Sequence, residues 1–116
     1  MNTRFTRYAR KEDISDDELR KAVNRLEAEQ ADANLGGNVY KLRVARPNEG
    51  KSGGHRVIVL FRCGDKTFYV YGFAKSERSD INEKELRRYK KLANNYFLMT
   101  VEQLEAMIKD GQLIEL

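Results

Sequence analysis

The sequence predicts a small α+β domain in which a mainly antiparallel sheet packs against an N-terminal helix and C-terminal helices. Three observations predict this fold class. A helix-capping signal at Ser15 precedes apolar residues with helical spacing, strand-like alternation follows from Tyr40, and two further capping signals occur at Asn82 and Thr100. Because 116 residues is the usual length of one domain, we expect a single unit over the whole chain.

The first helix is predicted by the capping box Ser15–Glu18, after which apolar residues recur with helical spacing at Leu19, Ala22, Val23 and Leu26. We expect it to run from about Asp16 to Ala33. The glycine pair Gly36-Gly37 is expected to end it, because glycine tolerates positive φ. The segment before Ser15 has too short an apolar pattern to choose between strand and helix.

Three strands are expected next. In the first, Tyr40, Leu42 and Val44 should point to one face, while Lys41 and Arg43 point to the other with Ala45. The apolar run Arg56–Cys63 suits a central strand, and Gly64-Asp65 predicts a tight turn into Thr67–Phe73. Between these elements, residues 47–54 are rich in Gly, Ser, Pro and Asn and predict an exposed loop.

Two C-terminal helices complete the prediction. Asn82–Glu85 repeats the capping pattern before a helix with Tyr89 and Ala93 on its apolar face, and Thr100–Gln103 begins another that Gly111 should end. Residues 113–116 are expected to form a short strand or a docked tail.

The charge pattern points to one segment. The chain carries a net charge of +4, but residues 39–78 hold nine Lys or Arg against three Asp or Glu. This excess predicts an anion-binding surface. The longest apolar run is far too short to cross a membrane, and the N-terminus does not resemble a secretory signal, so we expect a cytoplasmic protein without a membrane anchor. The single cysteine, Cys63, is expected to be a buried thiol.

Several bases of this segment should converge on a phosphate site. Lys41 and Arg43 are two residues apart on a strand, so their side chains should leave one face about 6 to 7 Å apart, close to the spacing of adjacent phosphates. Taken alone, the pair is better explained as a solvated sheet face, but Lys51, Arg56, Lys75 and Arg78 stand at the ends of elements that should be adjacent in space. The candidate catalytic residues are Lys41, Arg43, Arg56 and Lys75, and the candidate RNA-binding residues are Arg46, Lys51, His55 and Arg78.

Other chemistries are disfavoured. Gly50-Lys51-Ser52 resembles the end of a P-loop, but Ala45 stands where its first glycine is required, and a strand follows in place of a helix. With one histidine and one cysteine, no metal-ligand spacing is present, and no cofactor is expected. RNA remains cleavable without metal because its 2′-hydroxyl can attack the adjacent phosphate. His55 could exchange protons in such a reaction, or be a partly exposed loop histidine without a catalytic duty.

Tyr69 and Tyr71 are alternate residues of the last strand, so they should share one face and serve either as core or sheet cover, or as stacking platforms for bases.

Five stretches together carry a family resemblance: Leu35–Gly37, Tyr40–Pro47, Gly50–Val57, Tyr71–Arg78 and Leu113–Glu115. In them the chain resembles the RelE/ParE superfamily of bacterial toxins, and in particular the HigB-like branch. The resemblance implies a RelE-like fold and an mRNA endoribonuclease, free or ribosome-dependent. It also implies a cognate antitoxin, usually with a helix-turn-helix domain. ParE relatives with the same fold poison DNA gyrase.

Carried over by position, the resemblance implies site roles. Lys41 and Arg43 match paired strand bases that bind substrate and transfer protons, Arg56 matches the arginine on the scissile phosphate, and Lys75 and Arg78 match a basic stretch lining the cleft.

Where RelE relatives place a tyrosine that acts as acid or stacking group, this chain has Asn82, which leaves the general acid unassigned. Two alternatives to the ribonuclease therefore stay open. One is a non-enzymatic toxin that binds a protein such as gyrase. The other is a passive RNA-binding module.

Overall fold

The computed structural model describes residues 1–28, 32–44, 54–64 and 66–114. Within them, four helices and four strands follow one another along the chain. In order they are α1 (Thr3–Lys11), α2 (Asp16–Glu27), β1 (Ala33–Gly36), β2 (Val39–Val44), β3 (His55–Phe61), β4 (Thr67–Ala74), α3 (Glu83–Leu98) and α4 (Val101–Lys109). The α+β class is therefore confirmed, with helices at both ends of the chain around an antiparallel sheet.

The sheet has the strand order β1-β2-β3-β4, with every neighbouring pair antiparallel. Its central strand β3 is buried along its whole length, because helices cover both faces. Side chains of alternating residues thus enter two separate cores. Val57 and Val59 pack with α1 and α2, whereas Ile58 and Leu60 pack with α3 and α4.

The caps that begin the later helices are those the sequence predicts. Ser15 accepts from the backbone N–H of Glu18, and Asn82 forms a full capping box with Glu85. Thr100 forms another with Gln103. Each cap satisfies N–H groups that have no partner inside the helix, which fixes where the helix starts. Gly111, with φ of 79°, follows the end of α4 as expected.

The glycine pair has a different role from the one expected. Helix α2 ends at Glu27, and Gly36-Gly37 instead forms the turn between β1 and β2, where Gly36, Gly37 and Asn38 all have positive φ. The prediction that this helix runs to about Ala33 was wrong, because Ala33 lies in β1, a strand additional to the three predicted, where it pairs with Lys41. The conformation of this segment is decided by its pairing with β2 and not by its local sequence pattern. The segment before Ser15 is the helix α1.

A bulge in β4 overturns one expectation about its tyrosines. Val59 pairs with Tyr69 but Ile58 pairs with Tyr71, which leaves Val70 as an extra residue. The two tyrosines therefore lie on opposite faces. Tyr69 is buried against α2, where its hydroxyl donates to the carbonyl of Leu19 at 2.5 Å, and Tyr71 lies on the α3 face.

The structure also shows where Cys63 and the C-terminal residues lie. Cys63 is exposed, not buried, because β3 ends at Phe61 and the cysteine falls in the turn beyond it. Residues 113–114 of the tail do dock: Leu113 forms a bridge with Asn2, and Ile114 donates its N–H to the carbonyl of Met1 at 2.8 Å, while residues 115–116 lie outside the described residues. In the described part of the chain, no helix has the length and apolar character needed to span a membrane.

Candidate nucleic-acid interface

The face of the sheet that α3 covers also carries the basic residues, in two rows across the strands. In one row Arg43 of β2 pairs with Arg56 of β3, which pairs with Phe73 of β4. In the next row Lys41 pairs with Ile58, which pairs with Tyr71. Directly opposed residues share a face. Cations thus occupy the β2 side of this face and aromatic rings the β4 side.

Arg56 is the most enclosed of these cations. Its residue is only 7% exposed, and its Nη1 donates to the carbonyl of His55 at 3.4 Å. Among the residues that the structure describes, it has no carboxylate partner, and its cross-strand neighbour Arg43 is another cation. Two adjacent guanidinium groups, one of them largely removed from water, make a position that favours an anion.

Lys41 and Arg43, in contrast, already hold carboxylates. Lys41 Nζ lies 2.9 Å from Asp80 Oδ2, and Arg43 Nε lies 3.9 Å from Asp32 Oδ1. Asp32 also accepts from the backbone N–H of Arg43 at 2.6 Å. Burial tends to raise the pKa of Asp80, but the hydrogen bonds from Lys41 and the Ile81 N–H hold that pKa below its ordinary value. Asp80 is therefore an ionised neighbour of the site.

Arg78 is held in place by the start of α3. Its guanidinium forms a bidentate ion pair with Glu85, in which Nη1 lies 3.0 Å from Oε2 and Nη2 contacts Oε1. Nη1 also donates to the Tyr71 hydroxyl at 3.1 Å. It lies over the rings of Tyr71 and Phe73, 5.8 and 5.7 Å from their centroids. The hydrogen bonds from Arg78 lower the pKa of Glu85. Arg78 is thus committed to protein groups, unlike Arg56.

The loop between β4 and α3 is organised around these contacts. Arg78 Nε donates to the carbonyl of Asp80 at 2.8 Å, and the backbone N–H of Asn82 donates to Glu85 at 3.1 Å. Asn82, at the position where the resemblance implies a tyrosine, therefore serves as the cap of α3. The same capping box that starts the helix also fixes Arg78 and presents Asp80 to Lys41.

His55 lies on the other face of the sheet. It is fully buried, so the alternative of a partly exposed loop histidine was wrong: it is the first residue of β3, opposite Ala74 and Val44. Its Nδ1 is 2.5 Å from the Tyr8 hydroxyl of α1. With no surface exposed, the imidazole is placed to act on a ligand only through its neighbours.

Lys75, another predicted site residue, lies at the edge of the cation cluster. Lys75 is exposed in the turn after β4, and its backbone N–H donates to the carbonyl of Gly54 at 3.4 Å, next to the start of β3. It therefore borders the end of the sheet where Arg56 lies. Arg46 and Lys51 lie outside the described residues.

Sequence reasoning missed Asp32, Asp80, Glu85 and Arg4. The three acids lie outside the segment chosen for its basic excess, and their contacts with cations depend on how the strands and the β4–α3 loop fold. Arg4 of α1 reaches the same face, with its guanidinium 4.9 Å from the Tyr71 ring centroid. A usable signal for it existed: residues 3–11 hold four cations and no acid. In the ranges that the structure describes, no cluster of three or more His, Cys, Asp or Glu is placed to hold a metal.

Fold and site define a small basic α+β protein with clustered cations on one sheet face. A family model described as "RelE toxin of RelE / RelB toxin-antitoxin system" matches residues 1–116, and the chain belongs to this family. The resemblance is confirmed at the level of the RelE superfamily, while the HigB-like branch stays a prediction. Membership implies an antitoxin partner.

Proposed function

We propose that this toxin is an mRNA endoribonuclease of the HigB-like branch that inhibits translation by cleaving RNA through its own 2′-hydroxyl, without a metal. The observation that carries the proposal is Arg56: an arginine residue that is more than nine-tenths buried, beside Arg43, without a carboxylate partner in the described chain. A phosphodiester is an anion that suits this position, since a planar guanidinium can hold two phosphate oxygens at once.

The proposed reaction assigns a role to each neighbouring group. The 2′-oxygen attacks phosphorus, the bond to the 5′-oxygen breaks, and the products are a 2′,3′-cyclic phosphate and a 5′-hydroxyl. Arg56 and Arg43 stabilise the negative charge that builds on the non-bridging oxygens. Asp80, ionised at neutral pH, accepts the 2′-hydroxyl proton, and the Lys41 ammonium beside it donates a proton to the 5′-oxygen.

RNA must first replace the carboxylates that Lys41 and Arg43 hold in the free protein. Each pair has one half-exposed side chain, Asp80 at 50% and Arg43 at 51%, while their partners Lys41 and Asp32 are 21% and 29% exposed. Ion pairs this exposed typically stabilise a protein by only about 0 to 1 kcal/mol. A phosphate in contact with Arg56 as well can therefore displace them at small cost.

The test is to incubate ribosomes and a defined message with the toxin, and to map cut sites and end groups. We expect codon-phased cuts with 5′-hydroxyl ends, lost in Arg56→Ala and kept in the control Arg20→Ala, whose side chain lies on the exposed face of α2. Cuts with 5′-phosphate ends would contradict attack by the 2′-hydroxyl, because they require an external water.

The pairing of Lys41 and Arg43 with acids favours a second candidate, a non-enzymatic toxin that binds a protein target such as DNA gyrase. In that case the message stays intact and supercoiling by gyrase stalls. A passive RNA-binding module is a third outcome of the same assay, with RNA bound, uncut and growth unaffected on induction. The neutralising partner is proposed to be a helix-turn-helix antitoxin, which the adjacent open reading frame should encode.

A further inference from the structure

Helix α1 presents a solvent face made of cations. Arg4, Arg7, Arg10 and Lys11 are all exposed, and residues 3–11 contain no acid. Arg4, Arg7 and Lys11 are spaced i, i+3 and i+7, so they form one stripe along the helix. Within the described ranges, none of the four is in ion-pair contact with a carboxylate. This sets α1 apart from α2, where Arg20 and Lys21 pair with acids one turn earlier.

Helix α3 repeats the arrangement. Lys84, Arg87, Arg88 and Lys91 are exposed at spacing i, i+3, i+4 and i+7, again without an ion pair in the part of the chain that the structure describes. Its two acids lie in the first turn, and one of them, Glu85, is held by Arg78. The outward face of α3 beyond that turn is therefore cationic.

Arg4, the first cation of the α1 stripe, reaches the sheet face that carries Arg56 and α3. The Arg4 guanidinium covers the ring of Tyr71, which in turn stacks on Tyr89 of α3 with ring centroids 6.2 Å apart. Burial raises the pKa of Tyr89 to about 12, against the opposing effect of Arg4 and Arg88, so both cations lie near its hydroxyl. Tyr71 and Tyr89 thus connect the start of the α1 stripe to α3.

We infer that the cationic faces of α1 and α3 form a second RNA-binding surface, which holds backbone phosphates of the strand outside the segment bound at Arg56. Adjacent cations on a helix stripe lie about 5 to 6 Å apart at Cβ, close to the spacing of phosphates along a strand. The surface extends the proposed function, but it requires only a polyanion and no cleavage.

The chemistry of the surface favours RNA over the antitoxin. Protein interfaces are depleted in charged residues at their centres, whereas nucleic-acid interfaces are strongly positive. Among the described residues, the large apolar side chains that are exposed are Leu98, Val101 and Ile108, at the end of α3 and on α4. A protein partner would be expected to cover those residues, and the stripes of α1 and α3 offer it no comparable apolar centre.

The test compares three double variants that each remove two positive charges. Arg7→Gln/Lys11→Gln alters α1, Arg87→Gln/Lys91→Gln alters α3, and Arg20→Gln/Lys21→Gln on α2 is the matched control with the same net charge. The probe is a 2′-O-methyl RNA of about 25 nucleotides, which cannot be cut because its 2′-oxygens carry no proton. Its dissociation constant is measured over a range of salt concentrations, alongside that of a four-nucleotide probe.

For α1 and α3 variants we expect the salt slope of binding to the long probe to fall by roughly 1.4, about 0.7 for each lost contact with single-stranded RNA, and the affinity at low salt to fall roughly tenfold. The four-nucleotide probe and the α2 control should bind as the wild type does. An equal loss in the α2 control would overturn the inference, since net charge alone would explain it. The inference would also be overturned if the α1 and α3 variants bound RNA as the wild type does but no longer bound the antitoxin, because the stripes would then belong to the protein partner.

A wild-type protein that never cuts RNA would defeat the proposed function and leave this binding test unaffected.

Discussion

The Tyr8 hydroxyl lies 2.5 Å from His55 Nδ1 and so ties α1 to the first residue of β3, directly before Arg56. The Tyr8 ring crosses β4 at Gly72, where an added Cβ would lie only 2.4 Å from Tyr8 Cδ1. Tyr8 of α1, Gly72 and His55 therefore pack together on the face of the sheet opposite Arg56. This arrangement can act on Arg56 only through the backbone of β3.

Tyr8→Phe is expected to slow cleavage about tenfold while RNA affinity stays near that of the wild type, because the phosphate contacts remain but Arg56 is held less firmly. The matched control is Tyr69→Phe, which also removes a buried tyrosine hydroxyl bond on the same face. Each change should destabilise the fold by about 1 to 2 kcal/mol. Single-turnover rates and thermal midpoints of both variants decide the matter: equal rates at equal stability would rule out a positioning role for Tyr8.

Gly72→Ala should destabilise the protein by about 1 to 3 kcal/mol, the usual cost of overpacking, because its Cβ would overlap the Tyr8 ring. The same change in a Tyr8→Ala background should cost much less. Denaturant unfolding of both single variants and the double variant gives the coupling energy. A coupling near zero would show that the glycine is needed for another reason.

Arg56→Ala should lower the cleavage rate by about two to three decades, or about 2 to 4 kcal/mol of transition-state stabilisation. Stability should change little, since the substitution also removes repulsion with Arg43. Arg56→Lys keeps the charge but loses the fork, so it should recover binding better than rate. A large fall in the thermal midpoint with unchanged cleavage by the folded fraction would reassign Arg56 to bracing the sheet.

Asp80→Asn should separate binding from catalysis. Removing the carboxylate frees Lys41 for a phosphate, so RNA should bind more tightly, while loss of the proposed base slows the chemical step. Asp17→Asn on α2 is a control of equal charge, since it too releases a cation from an exposed ion pair. Faster cleavage by Asp80→Asn would show that Asp80 only competes with the substrate.

Glu85 makes the stability depend on pH. Because the hydrogen bonds from Arg78 lower its pKa in the folded state, its contribution is fully present above the unfolded value of about 4.3 and is lost as the pH falls through the folded value. The thermal midpoints of the wild type and Glu85→Gln should therefore differ most above about pH 5 and converge in more acidic solution. A gap that stays constant down to pH 2 would contradict this assignment.

The sequence predicted the local features well and the long-range ones poorly. The caps at Ser15, Asn82 and Thr100 are local hydrogen bonds between residues three apart, and each begins a helix as expected. Strand β1 was missed because it is only four residues long and exists through pairing with β2.

In the candidate site, too, the sequence predicted what depends on local spacing and missed what depends on tertiary contacts. The shared face of Lys41 and Arg43 follows from strand alternation, and both were placed correctly relative to the core. Their partners Asp80 and Asp32 were not foreseen, because those contacts depend on how distant segments fold together. The basic face of α1 was hidden by averaging it with the acids that begin α2.

The bulge at Val70 also limits how β4 can change in length over evolution. Deleting Val70 would remove a buried side chain but restore simple alternation, with Tyr69 still facing Leu19 and Tyr71 still facing Arg78. Deleting a neighbouring residue instead would carry a tyrosine across the sheet into the wrong layer. Natural variants that are one residue shorter here are therefore expected to have lost this residue, and to read as regular strands.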